Sequence, residues 1–171
     1  LLNKSNIILI GFMGVGKGTI ARSLVKNSSM FAIDTDDLIE SMENQKIKKI
    51  FEVNGEAYFR TLEKKCALWL ENNIKENTII STGGGFYKQD NIKQIGKVIY
   101  LQSSFDGIIN RIKNSENAQK KLKKRPLLQN IEEAKKLFDI RVSEYEAIAD
   151  ITVNVENQNI IDITNEILKN I

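Results

Sequence analysis

The stretch Gly11 to Thr19 reads GFMGVGKGT and joins the apolar run Ile7-Ile8-Leu9-Ile10 to Ile20, Ala21, Leu24 and Val25, which recur at helical spacing. A glycine-rich turn between a buried strand and the start of a helix brings several backbone N–H groups to one point, where they cradle phosphate. Lys17 adds a positive charge there. The pattern GxxxxGK is complete from Gly11 to Lys17, and Gly14, Val15, Gly16, Lys17, Gly18 and Thr19 are the expected nucleotide-binding positions. The residue after the lysine, where the pattern has Ser or Thr, is Gly18, and the hydroxyl arrives one place late as Thr19. The loop says that a nucleotide binds and leaves the reaction and the acceptor open.

The rest of the chain alternates strand and helix, the mark of a parallel α/β sheet. Phe31-Ala32-Ile33 predicts a second strand ending in Asp34-Thr35-Asp36-Asp37, which can start a helix through Leu38, Ile39 and Met42. A short helix over Lys46 to Phe51 breaks at Asn54-Gly55, and Phe59, Leu62, Cys66, Trp69 and Leu70 then mark one face of a long helix. Thr78 to Ser81 predicts a third strand running into Gly83-Gly84-Gly85, and Lys97 to Leu101 a fourth, followed by a helix over Phe105 to Ile112. A polar stretch, Lys113 to Arg125, contains KKLKKR and ends at Pro126, the single proline. Ala134, Leu137, Phe138, Val142 and Tyr145 share one helix side, Ile151 to Val153 is a fifth strand, and Ile160 to Ile171 a closing helix. With no repeat or linker, residues 1–171 read as a single α/β domain carrying two insertions, Asp36 to Glu63 and Lys113 to Arg125.

Composition removes several chemistries. There is no histidine, so Ser-His-Asp, Cys-His and His-metal sites are excluded, and the one cysteine, Cys66, reads as a core residue in a reducing compartment. A net charge of +3 does not call for nucleic acid. The N-terminal apolar run is too short to span a membrane, so the expected location is the cytoplasm.

Catalysis must therefore rest on carboxylates, Lys, Arg and backbone. No acid ends the third strand, where many P-loop proteins place a carboxylate that orients a metal, so Asp34 and Asp36 after the second strand are the nearest candidates. Three glycines at the end of a central strand let a ligand approach backbone N–H groups. By spacing, Arg60 reads as a solvated arginine paired with Glu63, three residues on, and Arg141 as another solvated helix arginine. The KKLKKR run suits a lid that excludes water and brings cations to the phosphates, with Arg125, fixed by Pro126, its best-placed charge.

Taken together, GFMGVGK, Asp34-Thr35-Asp36, Gly55-Glu56 with Phe59-Arg60 and Glu63, Gly83-Gly84-Gly85 and Arg125-Pro126-Leu127-Leu128 resemble the shikimate kinases, in order and over nearly the whole chain. The resemblance implies a three-layer α/β/α P-loop kinase fold with a five-stranded parallel sheet ordered 2-3-1-4-5. It also implies a shikimate-binding segment over residues 34–63 and a lid over 113–125. The implied reaction is ATP-dependent phosphorylation of the shikimate 3-hydroxyl in aromatic amino-acid biosynthesis, by a monomer, with Mg²⁺. Asp36, Arg60, Arg141 and the backbone of Gly84 and Gly85 would hold shikimate. Lys17, Asp36 and Arg125 would be catalytic, Arg111 would stack on adenine and Arg125 reach the phosphates from the lid. Asp34 would orient a metal-bound water. Gly18 departs from the pattern, since the family has there a Ser or Thr that ligates Mg²⁺. The GKGT run also resembles adenylate kinases, in which phosphate oxygens and water hold most of the metal.

Overall fold

The computed structural model describes residues 6–123 and 126–171. Five parallel strands, β1 (Ile7–Ile10), β2 (Phe31–Asp34), β3 (Thr78–Ser81), β4 (Lys97–Gln102) and β5 (Ile151–Asn154), form one sheet in the order β2-β3-β1-β4-β5. The helices are α1 (Lys17–Lys26), α2 (Thr35–Glu43), α3 (Ile47–Asn73), α4 (Ile92–Ile95), α5 (Phe105–Lys113), α6 (Ala118–Lys123), α7 (Ile131–Ile148) and α8 (Ile160–Lys169). All four residues of β1 are buried. Successive side chains of a strand point to opposite faces, so β1 is covered on both sides.

The position of each strand follows from its composition. Ile79 and Ile80 of β3 are in register with Ile7 and Ile8 on one side and with Ala32 and Ile33 on the other, so the most apolar segments take the centre. β2 is an edge strand, and its Phe31 is 72% exposed. Because the chain runs from β1 to the edge strand, returns to β3 and then crosses to β4, the loop after β1 lies where the winding reverses, the place at which open α/β sheets bind ligands.

Two helices differ in detail from the sequence expectation. In α3 the break falls at Gly55, as expected, where φ of 82° and ψ of 173° are not helical. On its second half Phe59, Leu62, Cys66 and Leu70 are buried, whereas Trp69 lies at the edge of the apolar stripe and is 48% exposed, with Ala67 buried instead. On α7 the buried positions are Ala134, Phe138, Arg141 and Tyr145. Arg141 is thus not a solvated arginine: steps of four, three and four residues place it within the core-facing stripe. Among the described residues no helix is long and apolar enough to cross a membrane.

Candidate active site

The phosphate end is built from one contiguous segment. Gly16, with φ 106° and ψ 18°, caps α1 in the left-handed region that an L side chain adopts only with strain, so Lys17 becomes the first helical residue. Lys17 is buried, and its Nζ donates to Gly11 O at 2.6 Å and to Phe12 O at 3.2 Å, holding the ammonium inside the curl of the loop. Arg111 of α5 braces the outside. Its guanidinium donates to Val15 O at 2.6 Å and Val155 O at 2.5 Å, joining the loop to the turn after β5, and its burial lowers the affinity for its proton. An adenine-facing Arg111 would stack beside these two bonds. At the first turn of α1, Thr19 is exposed and accepts from Arg22 Nη2 at 3.4 Å. Among the described residues a Cβ on Gly18 would meet nothing closer than Arg22 Nη1 at 3.5 Å, an ordinary contact, so none of them imposes the missing hydroxyl by crowding.

The second pole is built from three distant elements that meet on the glycine run after β3. A Cβ on Gly83 would sit 2.6 Å from Asp36 Oδ1, one on Gly84 would sit 3.1 Å from Arg141 Nη1, and one on Gly85 would sit 2.5 Å from Arg60 Nη1. Each glycine therefore gives room to one candidate binding residue, from α2, α7 and α3 in turn. The same Cβ position of Gly84 lies 4.0 Å from Met13 N, so the run adjoins the phosphate loop itself. Thr35 Oγ1 accepts from Gly83 N at 3.1 Å and Thr82 Oγ1 donates to Leu9 O at 2.9 Å, fixing the run to α2 and β1.

Charge in this pocket is arranged around Arg60 and Asp36. Arg60 Nη1 pairs at 2.6 Å with Glu63, which is 1% exposed, while its Nε and Nη2 reach Glu56 at 3.2 and 2.8 Å. The guanidinium is thus aimed by two carboxylates. Burial, then the neighbouring charges of Asp34 and Glu63, push the carboxyl of Asp36 up to about 7, with Lys17 acting in the other direction. Among the described residues Asp36 Oδ1 and Arg141 Nε are buried without a hydrogen-bond partner. A buried acceptor and a buried cationic donor left open on one pocket mark the place of a polar ligand carrying both hydroxyl and anionic groups.

Asp34 is the N-cap of α2. Its Oδ1 accepts from the N–H groups of Asp36 and Asp37 at 2.9 and 3.4 Å, and its Oδ2 accepts from Ser81 Oγ at 2.8 Å. Oδ2 thus keeps a lone pair, a hard-oxygen donor of the kind that suits Mg²⁺ holding several waters. Among the described residues no group of three or more Cys, Asp and Glu side chains is placed to hold a metal unaided. Arg125 lies outside the described residues.

Sequence spacing did not reveal Thr35, Thr82 or Tyr145 as parts of this pocket. Tyr145, expected only on the apolar face of its helix, donates from its hydroxyl to Gly84 O at 2.6 Å. Of the three only Thr82 carried a detectable signal, as a hydroxyl-bearing residue in the buried run Ile79 to Thr82, where only a partnered hydroxyl is tolerated.

A glycine loop at the winding reversal, a lysine within it and a charged pocket beside it define a P-loop phosphotransferase. The shikimate kinase family model matches residues 13–171. A shikimate kinase of Sulfurihydrogenibium sp. is 40% identical over 171 residues, covering 97% of each chain, and one of Helicobacter hepaticus is 39% identical over 149 residues, covering 87% of this chain and 86% of the relative. Among solved structures, the shikimate kinase of Acinetobacter baumannii in complex with shikimate superposes with a TM-score of 0.83 at 31% identity, over 98% of this chain and 93% of that one. The shikimate kinase of Aquifex aeolicus gives 0.75 at 32% identity, over 96% and 94%. This chain belongs to the shikimate kinase family.

Proposed function

We propose that the chain transfers the γ-phosphoryl group of ATP to the 3-hydroxyl of shikimate, releasing shikimate 3-phosphate and ADP, with the glycine-run pocket as the acceptor site. The observation that carries this reading is the convergence of Asp36, Arg141 and Arg60 on Gly83, Gly84 and Gly85, within 4.0 Å of the phosphate-loop backbone as measured from a Cβ on Gly84. Arg60 and Arg141 suit a small carboxylate, since planar guanidinium groups grip it through paired hydrogen bonds, and the N–H groups of Gly84 and Gly85 add donors. Asp36 orients the acceptor hydroxyl and takes its proton. A carboxyl poised near 7 is matched to that task at neutral pH.

At the phosphate end the loop N–H groups and Lys17 hold the β- and γ-phosphates in line with the acceptor, Arg111 sits against the adenine side, and Arg125 comes from a lid over 113–125. Negative charge spreads over the equatorial oxygens during transfer, and fixed cations around them lower the barrier. Mg²⁺ bound with ATP would supply further neutralisation. Asp34 is the residue that would hold it through water, with phosphate oxygens replacing the ligand absent at Gly18. The lone buried thiol at Cys66 supports a cytoplasmic site of action. A coupled assay of ADP release tests the proposal. Release strictly dependent on shikimate is expected, and a rate equal to that in buffer or with AMP in its place would overturn it.

A further inference from the structure

Three consecutive glycines place no Cβ on the peptide between Gly84 and Gly85, so the local chain offers little resistance to rotation of that peptide. The bonds from Gly83 N to Thr35, from Phe86 N to Gly83 O at 3.2 Å and from Lys88 N to Gly85 O at 3.3 Å hold its neighbours and not the peptide itself. Its carbonyl has one protein partner among the described residues, the hydroxyl of Tyr145, at 2.6 Å. In a trans peptide the N–H lies opposite the C=O, so a Gly84 carbonyl turned to α7 sends the Gly85 N–H the other way. No described residue accepts from that N–H.

Tyr145 is well fitted to hold one orientation. It is fully buried, and its ring packs against Tyr87 at 4.6 Å and Tyr100 at 5.2 Å between centroids, so the hydroxyl has little freedom. Burial pushes the phenol well above its usual value, keeping it a donor at any working pH. Tyr145 also lies one helical turn beyond Arg141, whose Nη1 abuts the same glycine.

We propose that Tyr145 is a positioning residue for the acceptor: by donating to Gly84 O it fixes the Gly84–Gly85 peptide with its N–H available to shikimate and its carbonyl turned away. This rests on the acceptor assignment made above. Without the hydroxyl the peptide is free to turn its carbonyl toward an anionic ligand, replacing a donor by an acceptor.

The test is Tyr145→Phe, with shikimate binding followed by calorimetry and KM measured for each substrate. Shikimate Kd and KM are expected to rise roughly tenfold, the worth of one hydrogen bond to a charged ligand, while KM for ATP stays within about twofold. Tyr87→Phe removes a hydroxyl of the same cluster that bonds Glu144 and not the glycine run, and is expected to leave both KM values unchanged. Unchanged shikimate affinity in Tyr145→Phe, or an equal rise in both KM values, overturns the proposal and reduces Tyr145 to packing. In the unaltered protein, the Gly85 amide proton is expected to move downfield in an NMR titration with shikimate. An unmoved Gly85 signal with other pocket amides shifting overturns the proposal even if the variant does not fold. Failure of the unaltered protein to bind shikimate at all would instead overturn the acceptor assignment on which it stands.

Discussion

The two poles of the site are built in opposite ways. At the phosphate end one segment makes the cradle from its own backbone, and its lysine is already bonded to Gly11 O and Phe12 O. At the acceptor end side chains from α2, α3 and α7 crowd three glycines, and among the described residues Asp36 Oδ1 and Arg141 Nε are left without partners. Phosphate is common to every nucleotide, so a local and self-satisfied loop is enough to bind it. The acceptor must be told from other small anions, which takes groups held open at a cost to the folded state.

The sharpest way to break this comparison is Asp36→Asn. Turnover should fall by roughly 10²- to 10⁴-fold in the coupled assay if Asp36 takes the acceptor proton, and near-normal turnover would remove it from the mechanism. The same substitution should stabilise the ligand-free protein. The folded carboxyl sits near 7 against an ordinary 3.8, so the native state holds the extra proton between those values and loses stability as pH rises through them. The gain in Tm should therefore be complete at about pH 8 and vanish below about pH 4, and a gain independent of pH would show that charge is not its source. For the parent enzyme, kcat/KM for shikimate should fall as pH drops below about 7, where Asp36 gains its proton.

Next in size, Arg141→Met should raise KM for shikimate about 10- to 100-fold and leave KM for ATP nearly unchanged, since a charge-assisted bond serves only the acceptor pole. Equal effects on both substrates would erase the division between the poles. Gly84→Ala sharpens it further: its Cβ would press on Arg141 Nη1 from 3.1 Å, so a few-fold rise in shikimate KM is expected in a protein of normal Tm. The smallest effect belongs to the phosphate end. Gly18→Ser has room, its Cβ meeting Arg22 Nη1 at an ordinary 3.5 Å, and should lower the Mg²⁺ concentration for half-maximal rate a few-fold. An unchanged Mg²⁺ requirement would mean that the departure at this position is silent.

The same contrast explains how much the sequence discloses. The phosphate loop is contiguous, so its strand, turn and helix could be read from Ile7 to Val25 without the fold, and the apolar runs located all five strands. The acceptor pole depends on residues brought together over long separations. Spacing made Arg141 look solvated because charge usually marks an exposed face, and only the packing of α7 shows that it occupies a core position. The pairing of Arg60 with Glu63 was visible three residues apart, but not that Glu63 is buried and aims the guanidinium. Trp69 was misplaced for the converse reason: a large apolar residue at the edge of a stripe need not be covered.

The break in α3 carries a final consequence. Gly55 has positive φ, yet apart from its neighbours along the chain no described residue lies within 4 Å of where its Cβ would be. What the site demands of residue 55 is therefore handedness alone, with no demand on volume. Semisynthesis with D-alanine at this position should keep the bend and the acceptor segment it leads into, whereas L-alanine should strain both, so the approach to the pocket is specified by chirality and not by fit.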